Sequence, residues 1–249
     1  MKKFTKVCLI IAAVLAVVGI SFSIAGAFSG ATLEQFENVV YWDEDDHTFV
    51  NGDEKKNDFE KSFKNIDSLH LELGNTEMKI KEAEGDEFKV YAQNLGNSFK
   101  CEDENGTLRI ESESKRRALF RNRKPVHITL EVPKGAVFKE ADIKVGVGSL
   151  EAYDFNCVDI EIECGVGETY ISGQIQGDCS IDCGVGEVSL VLTNQEEDFD
   201  YNVECGIGEV AIGGRSYSGL SRTQEVDNDA DNEMDIKCGI GKVQLTFEK

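Results

Sequence analysis

Proline is nearly absent, with two residues in 249, and histidine occurs only three times. With 41% hydrophobic residues, so little proline argues against wholesale disorder and for a folded body. Positive charge is also scarce: 26 Lys and Arg stand against 47 Asp and Glu, a net charge of −21. That balance excludes a general nucleic-acid binder, because such binding rests on neutralising phosphates. His47, His70 and His127 are scattered, and no H-E-x-x-H, G-x-S-x-G or P-loop accompanies them. Eight cysteines contain no C-x-x-C pair, which argues against a zinc site. The chain is therefore read as a non-enzyme that carries no cofactor.

One long apolar run is present, at 7–28, interrupted only by small residues and by Ser21 and Ser23. At about 1.5 Å per helical residue it reaches about 33 Å, enough for a bilayer core of about 30 Å. Lys2, Lys3 and Lys6 precede it, so the positive-inside rule leaves the N-terminus cytoplasmic and the rest extracytoplasmic. Ala25-Gly26-Ala27 fits a signal-peptidase site, in which case the body is secreted after cleavage. The length of the run favours a retained single-pass anchor, since a signal h-region spans about 7–15 residues. Residues 31–65 are polar and acidic and read as a stalk or linker, partly helical, with Tyr41 and Trp42 either an interfacial anchor or a small packed turn.

The body is defined by a motif that occurs five times. It reads Ile-Lys-Val-Gly-Val-Gly-Ser-Leu at 143–150, Ile-Glu-Cys-Gly-Val-Gly-Glu-Thr at 162–169 and Ile-Asp-Cys-Gly-Val-Gly-Glu-Val at 181–188. Two further copies are Val-Glu-Cys-Gly-Ile-Gly-Glu-Val at 203–210 and Ile-Lys-Cys-Gly-Ile-Gly-Lys-Val at 236–243. The first glycines step by 19, 19, 22 and 33 residues, so the last step contains an insertion. Around each glycine pair the residues alternate with period two, which marks strands with one buried face. A unit this short cannot bury its apolar face alone, whereas stacking copies about 4.8 Å apart makes a continuous core. The expected fold is thus all-β: a β-solenoid over 136–249, preceded by an N-terminal β cap at 66–135, the stalk at 31–65 and the membrane segment at 1–30.

Gly146, Gly148, Gly165, Gly167, Gly184, Gly186, Gly206, Gly208, Gly239 and Gly241 are expected at the corners, where a tight bend favours positive φ and no Cβ. A dinucleotide-binding loop is the rival reading. It fails because the position of the third glycine holds Glu151, Tyr170, Ser189, Ala211 and Gln244. Upstream, 66–80 reads as a degenerate copy with Gly74 as its corner. Further strands are expected around turns at Gly85, at Asn105-Gly106 and at Pro133-Lys134-Gly135.

The N-terminal span, the strand pair at 69–80, the approach Ile-Thr-Leu-Glu-Val-Pro-Lys-Gly at 128–135 and the G-x-G copies to the C-terminus together resemble the bacterial putative-adhesin family. This is an exported β-repeat group of largely unassigned function. The resemblance implies a β-repeat fold on the cell envelope and brings no catalytic residues with it. The cysteine column departs from the pattern, because that position needs only a small apolar residue.

Cys164, Cys183, Cys205 and Cys238 share one inward column and are expected as buried thiols, with strained ladder disulfides as the alternative. Cys157 and Cys179 lie outside that column and are able to pair. Glu168, Glu187 and Glu209 share an outward column, either a solvated acidic face or a ladder bridged by a divalent cation. The acidic stretch 227–233 opens like a calcium loop but lacks the required glycine and the closing glutamate. Lys115, Arg116, Arg117, Arg121, Arg123 and Lys124 form the one basic cluster, a candidate contact for an anionic partner.

These features suggest a membrane-anchored, non-enzymatic binding or adhesin-like module on the bacterial envelope, whose partner is an envelope polymer or a membrane protein. An envelope-stress accessory that modulates a membrane partner is the alternative, with Gly19, Ser23 and Gly26 able to support helix packing. Self-association is expected through the C-terminal edge, since the last strand, 243–247, has no cap after it.

Overall fold

The computed structural model describes residues 41–43, 48–50, 59–95, 99–112, 125–218 and 222–248. The chain divides into two units, Met1–Lys55 and Lys56–Lys249. In the first, β1 (Tyr41–Asp43) pairs antiparallel with β2 (Thr48–Val50), so this part of the expected stalk is extended rather than helical. The apolar run at 7–28 lies outside the described residues. Among those described, no helix is long and apolar enough to cross a membrane.

The second unit is all-β, a mixed, open sheet of 16 strands, and among the described residues it carries a 3₁₀ turn at Glu196–Asp198. Its strands are β3 (Phe59–Phe63), β4 (Ser68–Ala83), β5 (Phe88–Gln93), β6 (Phe99–Glu104), β7 (Thr107–Ser112), β8 (Val126–Pro133) and β9 (Val137–Cys164). They continue with β10 (Glu168–Ile175), β11 (Cys179–Cys183), β12 (Glu187–Leu192), β13 (Phe199–Cys205), β14 (Glu209–Ile212), β15 (Arg215–Ser218), β16 (Arg222–Val226), β17 (Asn232–Cys238) and β18 (Lys242–Phe247).

Each motif copy contributes one limb before its glycine pair and one after it, and limbs of adjacent layers pair parallel. Ile162 lies beside Ile181 and Cys164 beside Cys183, while Thr169 lies beside Val188 and Ile171 beside Leu190. The degenerate copy is part of the same stack: Leu71 pairs with Ile143, Met78 with Leu150 and Ile80 with Ala152. One further layer, made of β7 and β8, lies beyond it, with Leu71 opposite Ile110 and Ile80 opposite Leu130. The expected division between residues 135 and 136 therefore falls within continuous sheet. Every residue of the four inward columns, those that begin at Ile143, Val145, Leu150 and Ala152 in the first copy, is buried, and a fully buried Val, Leu or Ile contributes about 1.5–3 kcal/mol.

The layers do not follow the order of the chain. β17 lies between β11 and β13, and β18 lies between β12 and β14. The fifth copy is thus inserted between the third and the fourth. The 33-residue step is explained by what precedes that return: β15 pairs antiparallel with β14, and β16 antiparallel with β13, covering the outer side of copy four. The opposite end is covered in the same way, by β6 on β7, by β5 on β8, and by β3 on β5. Both ends begin their cover with a two-residue hairpin turn, Asn105-Gly106 at φ 57° and 91° and Gly213-Gly214 at φ 54° and 90°. Consecutive positive φ values of this kind match the right-handed twist of paired strands.

The corner glycines are required for a reason different from the expected one. Of the ten, only Gly148 has positive φ, at 152°. Most of the others are held to glycine by the layer beneath, while a Cβ at Gly146 or Gly184 would make only a tight contact of 3.0–3.1 Å. A Cβ at Gly165 would lie 2.9 Å from the Gly146 carbonyl oxygen, and one at Gly186 only 2.1 Å from that of Gly167 and 2.7 Å from Cys164 Sγ. Gly208 and Gly241 meet the same obstruction, each with a carbonyl oxygen at 2.2 Å and a cysteine sulfur at 2.7 Å. Close stacking at the bend, rather than backbone handedness, leaves no room for a side chain.

Candidate functional site

The interchange of copies four and five reorganises the outward charges. On the first limb, the column beside the corner runs Glu72, Lys144, Glu163, Asp182, Lys237, Glu204. On the second it runs Glu77, Ser149, Glu168, Glu187, Lys242, Glu209. Glu168 and Glu187 are neighbours, but Lys242 separates Glu187 from Glu209, with its Nζ 3.5 Å from Glu187 Oε1. The three glutamates therefore do not form the continuous ladder expected for a bridging cation; an ammonium group already stands in it. Among the described residues no group of three or more Asp, Glu, His or Cys is arranged to hold a metal ion.

At the far end of the first limb, carboxylates border a cleft of about 230 Å³ that includes Glu140, Asp142, Asp159, Glu161, Asp178 and Glu233. Several of them serve the backbone. Asp159 Oδ1 accepts from the Asp178 amide at 2.9 Å, and Asp178 Oδ1 accepts from the Glu233 amide at 2.9 Å. Asp142 Oδ2 is 2.8 Å from His70 Nδ1, and Glu72 Oε1 is 3.3 Å from the other ring nitrogen. These side chains tie layer to layer where the chain enters each strand.

Inside the stack, Cys164, Cys183, Cys238 and Cys205 follow one another in that spatial order, all buried and all free thiols. The Cys164 and Cys183 thiols donate to the Gly167 and Gly186 carbonyl oxygens at 3.2 Å, and that of Cys205 to Gly208 at 3.1 Å. These three thiols thus span their own corners, a role a purely apolar residue cannot fill, while the Cys238 thiol reaches the Glu209 carbonyl oxygen of the next layer at 3.8 Å. Ser112 plays a related part in the β7 layer, bonding to Thr76 Oγ1 and accepting from the Gly74 amide. Cys157 and Cys179, expected as able to pair, are likewise buried and free. Burial pushes the Cys157 and Cys101 thiols up to about 12 and raises that of Cys179 further. Within the column the directions split: Cys183 is raised by its two flanking thiols and by burial, whereas hydrogen bonding to Cys183 holds Cys164 and Cys238 below the usual thiol value, at about 7.

The central residue of G-x-G produces a feature that the alternation of buried columns does not reveal. Amide-to-carbonyl bonds of 2.8–2.9 Å, from Val166 to Gly146, Val185 to Gly165, Ile240 to Gly184 and Ile207 to Gly239, stack these residues one above another. Val147, Val166, Val185, Ile240 and Ile207 so form an aliphatic ridge along the corner. Val147 is 52%, Val166 43% and Ile207 58% exposed, while Val185 and Ile240 are half-buried. The signal in the sequence was a β-branched aliphatic residue between the glycines of all five copies.

The remaining candidates are placed as follows. In 227–233, Asp200 Oδ1 accepts from the amides of Asn228 at 2.7 Å and Ala230 at 3.2 Å, so this acidic stretch is a turn docked on β13. Lys115, Arg116, Arg117, Arg121, Arg123 and Lys124 lie outside the described residues. The C-terminal strand is not an edge: β18 pairs on both sides, so the premise for self-association through it does not hold.

No family model matches the chain. No curated protein matches it either. Among solved structures, a putative cell adhesion protein from Clostridium sporogenes is similar at a TM-score of 0.58 and 18% identity, covering 78% of this chain and 100% of that one. A putative adhesin from Bacteroides fragilis aligns at a TM-score of 0.34 and 12% identity, over 76% of this chain and 96% of that one. The resemblance to adhesin-type β-repeat proteins read from the sequence is thus met at the level of fold.

Proposed function

We propose that this chain is a membrane-anchored, extracytoplasmic β-solenoid that acts as a non-enzymatic, adhesin-like binding module on the bacterial cell envelope. The observation that carries this reading is the fold shared with the whole length of the Clostridium cell adhesion protein. The parallel, in-register layers support the solenoid description, because each layer buries its apolar face only against its neighbours. The lysines before the apolar run at 7–28 support the anchor and its orientation. The basic cluster at 115–124 is the proposed contact for an anionic envelope polymer.

The test is binding of the full-length chain, held in phosphatidylcholine nanodiscs, to isolated bacterial wall at low and high salt. A variant with the six basic residues neutralised runs beside it. Binding that weakens with salt and disappears in the variant supports both the module and its contact. Binding that persists in the variant retains the module and removes the contact. Absence of wall binding at either salt concentration overturns the reading.

A further inference from the structure

The aliphatic ridge lies outside the buried core of the layers. Inward columns supply the core, and the corner peptide groups are already bonded from layer to layer. β-branching suits extended backbone, yet threonine would serve that need while remaining polar, and none of the five copies uses it. Single exposed aliphatic residues are ordinary on a protein surface, but five aligned over four steps of about 4.8 Å make a contiguous apolar strip about 19 Å long.

The borders of this strip carry a definite sign. Glu163, Asp182 and Glu204 lie along one side and Glu168, Glu187 and Glu209 along the other. The interleaved lysines leave the balance negative, and two are engaged: Lys144 Nζ is 2.9 Å from Glu163 Oε1, and Lys242 Nζ is 3.5 Å from Glu187 Oε1. An anionic surface is repelled here, and no aromatic platform for a sugar ring lies between the glycines. We propose that this ridge is a docking surface for a cationic protein segment in which Lys or Arg residues are interspersed with aliphatic or aromatic ones. Apolar side chains of the partner cover the Val and Ile row while its cations meet the carboxylates on both borders. The proposal rests on the reading of the chain as a binding module and adds a surface and a partner chemistry to it.

The experiment uses the full-length chain in phosphatidylcholine nanodiscs, with empty nanodiscs as blank, and fluorescent peptides of about a dozen residues, long enough to span the strip. The peptides alternate Lys-Leu, Lys-Ser or Glu-Leu. The Lys-Leu peptide is expected to bind at least about tenfold more tightly than either of the others. Joint substitution Val166→Thr, Val185→Thr and Ile240→Thr, which keeps β-branching and shape, is expected to remove about tenfold of that affinity. Glu168→Gln with Glu187→Gln is expected to flatten its salt dependence, and thermal melting establishes that each variant is folded. Equal Lys-Leu binding by parent and threonine variant overturns the proposal, as does equal binding of Lys-Ser and Lys-Leu. Ridge-dependent sedimentation as a dimer without peptide binding assigns the strip to a second copy, and ridge-dependent binding to anionic vesicles assigns it to lipid; either outcome overturns the partner named here. Retained wall binding alongside any of these failures removes the ridge inference alone, whereas loss of wall and peptide binding together removes the module reading as well.

Discussion

Copies one to three lie in chain order, 19 residues apart, each resting on the one before, whereas copies four and five exchange places. Locally the two regions are alike. Both use the same buried columns, the same close approach at the glycines and the same thiol-to-carbonyl bond across the corner. They differ in what surrounds the repeat. Between the early copies the chain simply climbs to the next layer. After copy three it passes over one layer, builds copy four, turns back through an antiparallel cover, and only then fills the gap. Charge favours this arrangement: direct stacking of copies three and four would set Asp182 against Glu204 and Glu187 against Glu209. The intervening copy instead supplies Lys237 and Lys242. A repeat therefore specifies what a layer looks like without specifying which layer is its neighbour.

The largest test of this difference is truncation after Asp231, which removes β17 and β18. Because these fill an interior layer, the shortened chain is expected to lose cooperative melting and to become sensitive to protease across 193–231. Retention of a sharp transition only a few degrees lower would show that copy five is an end layer instead. Next in size, Gly186→Ala and Gly241→Ala force a Cβ to within 2.1 Å and 2.2 Å of a backbone oxygen, one in each region. Both are expected to cost about 3–5 kcal/mol in denaturant unfolding, and a large inequality would mean that the corners are not equivalent.

Where the chain leaves the regular climb, Asn194 Oδ1 accepts from the Ile175 amide at 3.1 Å and its Nδ2 donates to the Ile175 carbonyl at 2.8 Å. Asn194→Ala leaves both groups buried without a partner and is expected to cost about 1–3 kcal/mol. Joint reversal Lys237→Glu and Lys242→Glu should lower the melting temperature by about 2–5 °C at low salt, with the loss shrinking at high salt. Reversal of Lys144 alone is expected to do less.

The smallest effect concerns the other end of the stack. Glu111 is nearly buried, and Arg109 first and then Lys100, whose Nζ lies 3.1 Å away, hold its carboxyl below the usual range. Its contribution is complete above the unfolded carboxylate value of about 4.3 and is lost as pH falls through the folded value. Glu111→Gln should flatten stability against pH in that acidic window while leaving the slope above about pH 6 unchanged.

Much of this is legible in the sequence. The columns headed by Ile143, Val145, Leu150 and Ala152 were visible because alternation with period two directly encodes which side chains turn inward. The degenerate copy at 66–80 and the Asn105-Gly106 turn were visible for similarly local reasons. The Gly213-Gly214 turn carried an equally plain signal and marks where the insertion doubles back to cover copy four. The ridge was harder to read, since Val147 and its counterparts resemble one more buried position until the bend turns them outward. The lysine that interrupts the glutamate column was not legible, because Lys242 comes from 55 residues beyond Glu187 in the chain.

The amino-acid sequence by itself determined the layer: its two limbs, its inward residues, its glycine corner and the acidic surplus outside. Those properties depend on neighbours a few residues apart and on the period of the strand, so they are written wherever the motif is written. Only the tertiary structure decided the order of layers, the pairing of charges between them and the alignment of five aliphatic residues into one strip. Each of these depends on which distant segment lies 4.8 Å or so away, and near-identical copies compete for that place on almost equal terms until charge and the end covers separate them.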